Sequence, residues 1–109
     1  MTTRRPNYVE QVRDKLAQRL PTLDDALLDL YTLLAIQYGT NVDAVTVHNA
    51  WSVWQNRIDP DHRSLIPFPM LSPEVQALDE PYAEAIRQAD RDVYEDHLRE
   101  RRERKASAQ

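Results

Sequence analysis

The sequence predicts an all-α fold: a compact bundle of four main helices with a proline-rich strap between the third and the fourth. Three observations carry that prediction. Apolar residues recur at spacings of three and four in four separate stretches, the period of one helical face. There is a single glycine in 109 residues, too few for the positive-φ turns of a β-fold. Five of the seven prolines fall together between Asp59 and Pro81, so helix formation is interrupted there and little elsewhere.

The first helix lies between Pro6 and Pro21. Asn7 is placed to cap it, with Glu10 in the reciprocal position of a capping box. Val9, Val12, Leu16 and Leu20 form its stripe. The second helix runs from about Thr22 to Tyr38, with Thr22 and Asp24 as candidate caps. It is apolar over much of its circumference from Leu27 to Ile36, which predicts a place in the middle of the bundle. Gly39 follows where a left-handed C-terminal residue is expected.

The third helix starts at Val42 or Asp43 and reaches Arg57. Its face is Val47, Trp51, Trp54 and Ile58, and Asp59-Pro60 ends it. The segment Ile66 to Leu71 reads as extended, strapped across the helices. Ser72-Pro73-Glu74 has the form of a cap followed by proline at the first helical position, opening a short helix to about Leu78. Asp79 is placed to cap the last helix, whose stripe is Tyr82, Ile86, Ala89 and Val93. Apolar periodicity stops at Leu98. The division is therefore one helical domain, 1–98, and a charged tail, 99–109. The i,i+4 pairs Glu95/Arg99 and Glu100/Arg104 favour a continued exposed helix there, and fraying is the alternative.

The net charge of −4 is unevenly spread: Arg99, Arg101, Arg102, Arg104 and Lys105 against Glu100 and Glu103 make the tail +3 and leave −7 on the body. An acidic body makes nucleic acid an unfavoured partner. With no cysteine there is no disulfide, thiolate metal site or thiol nucleophile. The stretch from Met1 to Pro6 has no apolar signal core, and Leu33 to Ile36 is far too short to span a bilayer, so a cytoplasmic location without a membrane segment is expected.

Candidate chemistry is sparse. Asp59-Pro60-Asp61-His62 is the densest cluster of metal-donor types, but it lacks metal-ligand spacing and reads as a turn around Pro60, so no metal or cofactor is expected. His48 has Ser52 one turn on, yet no orienting carboxylate follows at suitable spacing. His48 therefore reads as a core residue bonded to a backbone carbonyl rather than as a general base, and no catalytic residue is assigned. Trp51 and Trp54 read as core. They could also border a pocket with His48, Arg57, His62 and Arg63 that stacks a flat ligand. Ala35, Gly39 and Val45 have helix-turn-helix spacing, but the following helix has no basic residue before Arg57, so a plain helical hairpin is the better reading.

Val47-His48-Asn49-Ala50-Trp51, then Leu65-Ile66-Pro67-Phe68, Leu71, Asp79 and Ile86, carry two resemblances. From about Tyr8 to Arg87 the chain resembles an uncharacterised family of small actinobacterial and actinobacteriophage proteins, which implies no activity. From about 47 to 87 it is similar to the ryanodine-receptor repeat through His48, Trp51, Leu65, Pro67, Phe68, Leu71 and Asp79. That second resemblance implies helical packing and a nucleotide-like ligand. The expected function is accordingly a non-catalytic protein-interaction module, of phage or prophage origin, with Phe68, Met70 and Leu71 of the strap as contact residues and an unidentified protein partner. The alternative is a module that senses a nucleotide-like ligand through His48, Trp51, Arg57, His62 and Arg63.

Overall fold

The computed structural model describes residues 4–107. The N-terminal reading at Met1 to Thr3 and the last two residues of the tail lie outside them. The described chain is helical throughout its regular parts: α1 (Tyr8–Arg19), α2 (Asp25–Tyr38), α3 (Ala44–Ile58), the short α4 (Pro73–Gln76) and α5 (Glu80–Ser107), with 3-10 turns at Gly39–Asn41, Phe68–Met70 and Ala77–Asp79. Four main helices with an irregular proline-rich connection between α3 and α5 match the architecture expected.

Local chemistry explains most boundaries. The Asn7 side chain accepts from the Glu10 amide at 2.9 Å, and the Glu10 carboxylate accepts from the Asn7 amide at 2.9 Å. This closes the capping box of α1. Asp24, not Thr22, caps α2, accepting from the Ala26 amide at 2.9 Å. Asp43 and Thr46 form a second capping box at the start of α3. Ser72 caps α4 through the Val75 amide.

Gly39 has φ +55°, a conformation that side chains disfavour. Its ψ of −125° departs from the left-handed helical value and sends the chain into the following 3-10 turn. A Cβ there would stand 3.0 Å from Asp90 Oδ2.

The core is built from Val12 and Leu16 of α1, Leu27, Leu28, Tyr31, Leu34 and Ala35 of α2, Val42 and Val47 around the start of α3, and Ala83, Ile86, Ala89 and Val93 of α5. Alanines on α5 let that helix lie close against α1 and α2, where larger side chains would hold the backbones apart. The stripe of α5 is thus shifted by one residue from the expected one at its start: Ala83 is buried and Tyr82 stays 37% exposed. Three other apolar positions also face out. Val9, Leu33 and Ile58 are at least half exposed, so α2 is one-sided rather than enclosed, and the α3 face leaves the core before its end.

Asp79 does not cap α5. It belongs to a 3-10 turn whose backbone runs helically into Glu80, which removes the need for a side-chain cap. The segment from Ile66 to Leu71 is not fully extended either. Proline fixes φ near the value that polyproline and 3-10 geometry share, and the Met70 amide donates to the Pro67 carbonyl at 2.8 Å to close a turn. At the other end, α5 continues unbroken to Ser107. Arg99 pairs with Asp96 at 3.3 Å, one residue away from the Glu95 partner expected.

Exposed ion pairs link the outer faces of α1 with α2 and α5, among them Arg13–Asp29 at 2.8 Å and Arg19–Asp92 at 2.7 Å. Each contributes little by itself. No helix among the described residues is long and apolar enough to cross a membrane.

Substituting Gly39→Ala is expected to destabilise the protein by about 1–2 kcal/mol, since a methyl group meets both an unfavourable φ and the Asp90 carboxylate. Urea unfolding measures the loss, and a midpoint equal to that of the wild type would contradict it.

Candidate functional site

The α3 stripe turns from core to cavity wall as it leaves the bundle. Val47 at its start is fully buried, whereas Trp51 and Trp54 are only partly covered. Trp54 is held by its indole N–H, which donates to Asp24 Oδ1 at 3.1 Å. The oxygen that caps α2 therefore also orients a tryptophan of α3. Beside these rings, Tyr31 and Leu27 of α2 and Tyr82 of α5 complete a cavity of about 500 Å³. Val75 and Leu78 close one side of it. The volume lies within the range of about 300–1,000 Å³ usual for small-molecule sites.

His48 stands at the inner end. The residue is 3% exposed, and its ring is stacked on Trp51 with centroids 5.8 Å apart and tilted against Phe68 at 6.0 Å. Nε2 lies 2.7 Å from the Ile66 carbonyl oxygen. A carbonyl only accepts, so Nε2 carries the hydrogen and donates it. The expected bond from His48 to a backbone carbonyl is present, and its acceptor belongs to the strap. In the neutral ring Nδ1 is then an acceptor, and it faces Asp79 Oδ2 at 4.0 Å.

Asp79 is the carboxylate that sequence spacing did not offer. It stands 31 positions after His48, delivered by the 3-10 turn that precedes α5. Burial pushes its carboxyl above the ordinary range, and His48 partly offsets that rise. Burial likewise raises the Tyr31 hydroxyl, and the neighbouring Asp79 and Tyr82 raise it further.

Ser52, His48 and Asp79 thus occur in the order of a hydrolytic triad, with Ser52 Oγ 3.4 Å from His48 Nε2. The hydrogen placement is wrong for that chemistry. Nε2 already holds a hydrogen directed at Ile66, and Ser52 donates its own to the His48 carbonyl at 2.7 Å. The nitrogen that would have to remove the serine proton has no free lone pair.

Of the five residues read as ligand-binding, His48, Trp51 and His62 line the cavity. His62 stands edge-on to Trp51 at 5.1 Å, and its Nδ1 accepts the Ser64 amide at 3.0 Å, which leaves the hydrogen on Nε2. Arg57 and Arg63 are exposed and do not line the cavity. Both lie where a helix and a loop turn towards solvent. Trp54, read from sequence as core or as the border of such a pocket, lines it as well. Tyr31, Asp79 and Tyr82 also line it and were not assigned to it from sequence, because the tyrosines read as core stripe and the aspartate as a cap.

The strap residues divide too. Leu71 is buried, Phe68 is partly covered beside His48, and Met70 alone of the three is well exposed, at 71%. Gln76 ties the segment down by donating to the Phe68 and Leu71 carbonyls, each at 3.1 Å. Asp59 and Asp61 serve the turn around Pro60, where the Asp61 amide donates to Asp59 Oδ1 at 3.1 Å. No group of three or more metal-donor side chains converges among the described residues.

Fold and site together define a small all-α bundle protein with an aromatic-walled cavity, closed at its inner end by a histidine and an acid. A family model described as a domain of unknown function, DUF7701, matches residues 7–91, and the chain belongs to that family. The matched span runs from the α1 cap into α5 and includes every lining residue. No curated protein and no solved structure matches the chain.

Two outcomes test this geometry. His48→Phe keeps the ring but removes the donor to Ile66, so it is expected to cost about 1–2 kcal/mol and to make residues 65–71 the first site of limited proteolysis. Unchanged cleavage would show that the strap is held by other contacts. For Asp79, the native carboxyl lies above its unfolded value, so its contribution to stability is greatest below 3.8 and is lost as pH rises through the native value. Asp79→Asn is therefore expected to melt a few degrees above the wild type at pH 7, with the gap closing towards pH 4. A variant less stable at neutral pH would reverse the sign.

Proposed function

We propose that this protein is a non-catalytic module that binds a flat, mainly apolar small molecule between Trp51, Trp54, Tyr31 and Tyr82. One observation carries the reading. A cavity of about 500 Å³ has aromatic walls and presents two polar groups, His48 Nδ1 and the Asp79 carboxylate, that stand 4.0 Å apart, too far for a direct hydrogen bond between them. Aromatic rings supply stacking area at low entropic cost, and a few convergent polar atoms set orientation. The bound hydrogens on Nε2 and on Ser52 argue for binding rather than turnover.

The resemblance to the ryanodine-receptor repeat is in keeping with a stacked ring system at His48 and Trp51. Phosphate is another matter. Arg57 and Arg63, the cations a phosphate would need, stand outside the lining, and the acid inside repels an anion. The base-like part of a nucleotide suits the cavity, whereas its phosphates do not. A protein-partner role would use Met70 of the strap, with Leu71 turned inward. The cavity is the more completely built feature.

Thermal denaturation with a panel of nucleobases, nucleosides and other flat heteroaromatics tests the reading. A ligand at about a hundred times its Kd adds roughly 2.7 kcal/mol to stability, a readily measured rise in Tm, and Trp51→Ala is expected to abolish it. A panel that leaves Tm unmoved at millimolar concentration refutes the proposal.

A further inference from the structure

Resting on the reading of this cavity as a ligand site, we infer that its occupant presents a primary ammonium or amino group on a flat apolar body, with the nitrogen seated between His48 Nδ1 and Asp79 Oδ2. The two groups stand 4.0 Å apart, with the Asp79 side chain 16% and the His48 side chain 4% exposed. That separation is too long for a direct hydrogen bond. It suits a nitrogen about 2.8 Å from each, the usual length for charge-assisted bonds, donating one hydrogen to each acceptor.

A neutral His48 does not supply that donor. The Ile66 carbonyl holds the His48 hydrogen on Nε2, on the far side of the ring from Asp79. A ring rotated to bring it round would leave Ile66 without its donor. His48 is thus a polar side chain more than nine-tenths buried with one nitrogen still open to the cavity. No lysine or arginine lines the cavity to neutralise Asp79. Its charge stands among aromatic rings whose faces attract cations. An amine head answers each of these: it donates twice, carries positive charge when protonated, and leaves its ring system against Trp51 and Trp54. A carboxylate or phosphate head would instead face two acceptors and a negative charge.

Three probes with one indole body separate the contributions: tryptamine, its N,N,N-trimethyl derivative and indole-3-acetate. The trimethyl compound keeps the cation without an ammonium N–H, and the acetate reverses the charge. NMR titration of the full chain reads binding at the indole N–H signals of Trp51 and Trp54, the two tryptophans of the protein. Tryptamine is expected to shift both and to bind at least tenfold more tightly than either analogue. Asp79→Asn, checked for folding by circular dichroism, is expected to reduce that preference at least tenfold.

Equal affinity for tryptamine and the trimethyl compound would overturn the two-donor contact. Equal or tighter binding of indole-3-acetate would overturn the amine head altogether, while signals shifted at both tryptophans would leave the cavity standing as a ligand site. Silence with all three probes, set against a Tm rise with the heteroaromatic panel, would likewise remove the inference and leave the wider reading. Silence in both experiments would remove both.

Discussion

The hydrogen bond from His48 Nε2 to the Ile66 carbonyl orders much of what surrounds it. The backbone bonds of the proline-bearing chain between α3 and α4 are local turns within the segment, and this bond ties it to the helix it crosses. The same contact decides which nitrogen keeps the hydrogen. With Nε2 committed to the strap, Nδ1 is the nitrogen that faces Asp79, and the histidine is removed from service as a base for Ser52. The ring is further confined between Trp51 and Phe68. Structure and chemistry at the site thus depend on one donor position.

The cavity follows from a mismatch in side-chain size. Alanines bring α5 close to α1 and α2 over the core, where Val12, Leu16 and Ile86 leave no exposed surface. Further along α3, two partly covered tryptophans meet Tyr82 and the core residue Tyr31, and these broad, stiff rings leave space between them. They stand as its walls. Each has a reason for its orientation: Trp54 is tethered to the α2 cap, Trp51 lies between His48 and His62, and Tyr31 packs on Tyr82 with centroids 6.1 Å apart. An acid placed among them has no lysine or arginine beside it in the lining, and burial raises its carboxyl while His48 offsets part of that rise. Packing alone would be better served by an apolar or amide side chain there, and such unfavourable placements concentrate at functional sites.

Much of the fold was legible because its signals are local. Asn7 with Glu10, Asp24, Ser72 before Pro73 and Gly39 each answer to hydrogen bonds or backbone angles within a few residues. The stripes of α1 and α3 likewise marked their inner faces, although Val9 and Ile58 at the ends escape burial. Less of the site was legible. His48, Trp51 and His62 were recognised by residue type, while Arg57 and Arg63 were grouped with them by nearness in sequence and point elsewhere. Asp79 looked like a cap because it precedes a helix, and only the continuous backbone through Glu80 frees its carboxylate to face His48.

The sequence by itself determined the helices, their order and the family to which the chain belongs, since periodicity, capping and family motifs are properties of neighbouring residues. Tertiary structure alone decided that Tyr31, Asp79 and Tyr82 share one space with His48 and the tryptophans, and that Nε2 is the nitrogen of His48 that donates to the strap. Those facts depend on how far apart three helices stand and on a carbonyl 18 positions away, distances that only packing sets.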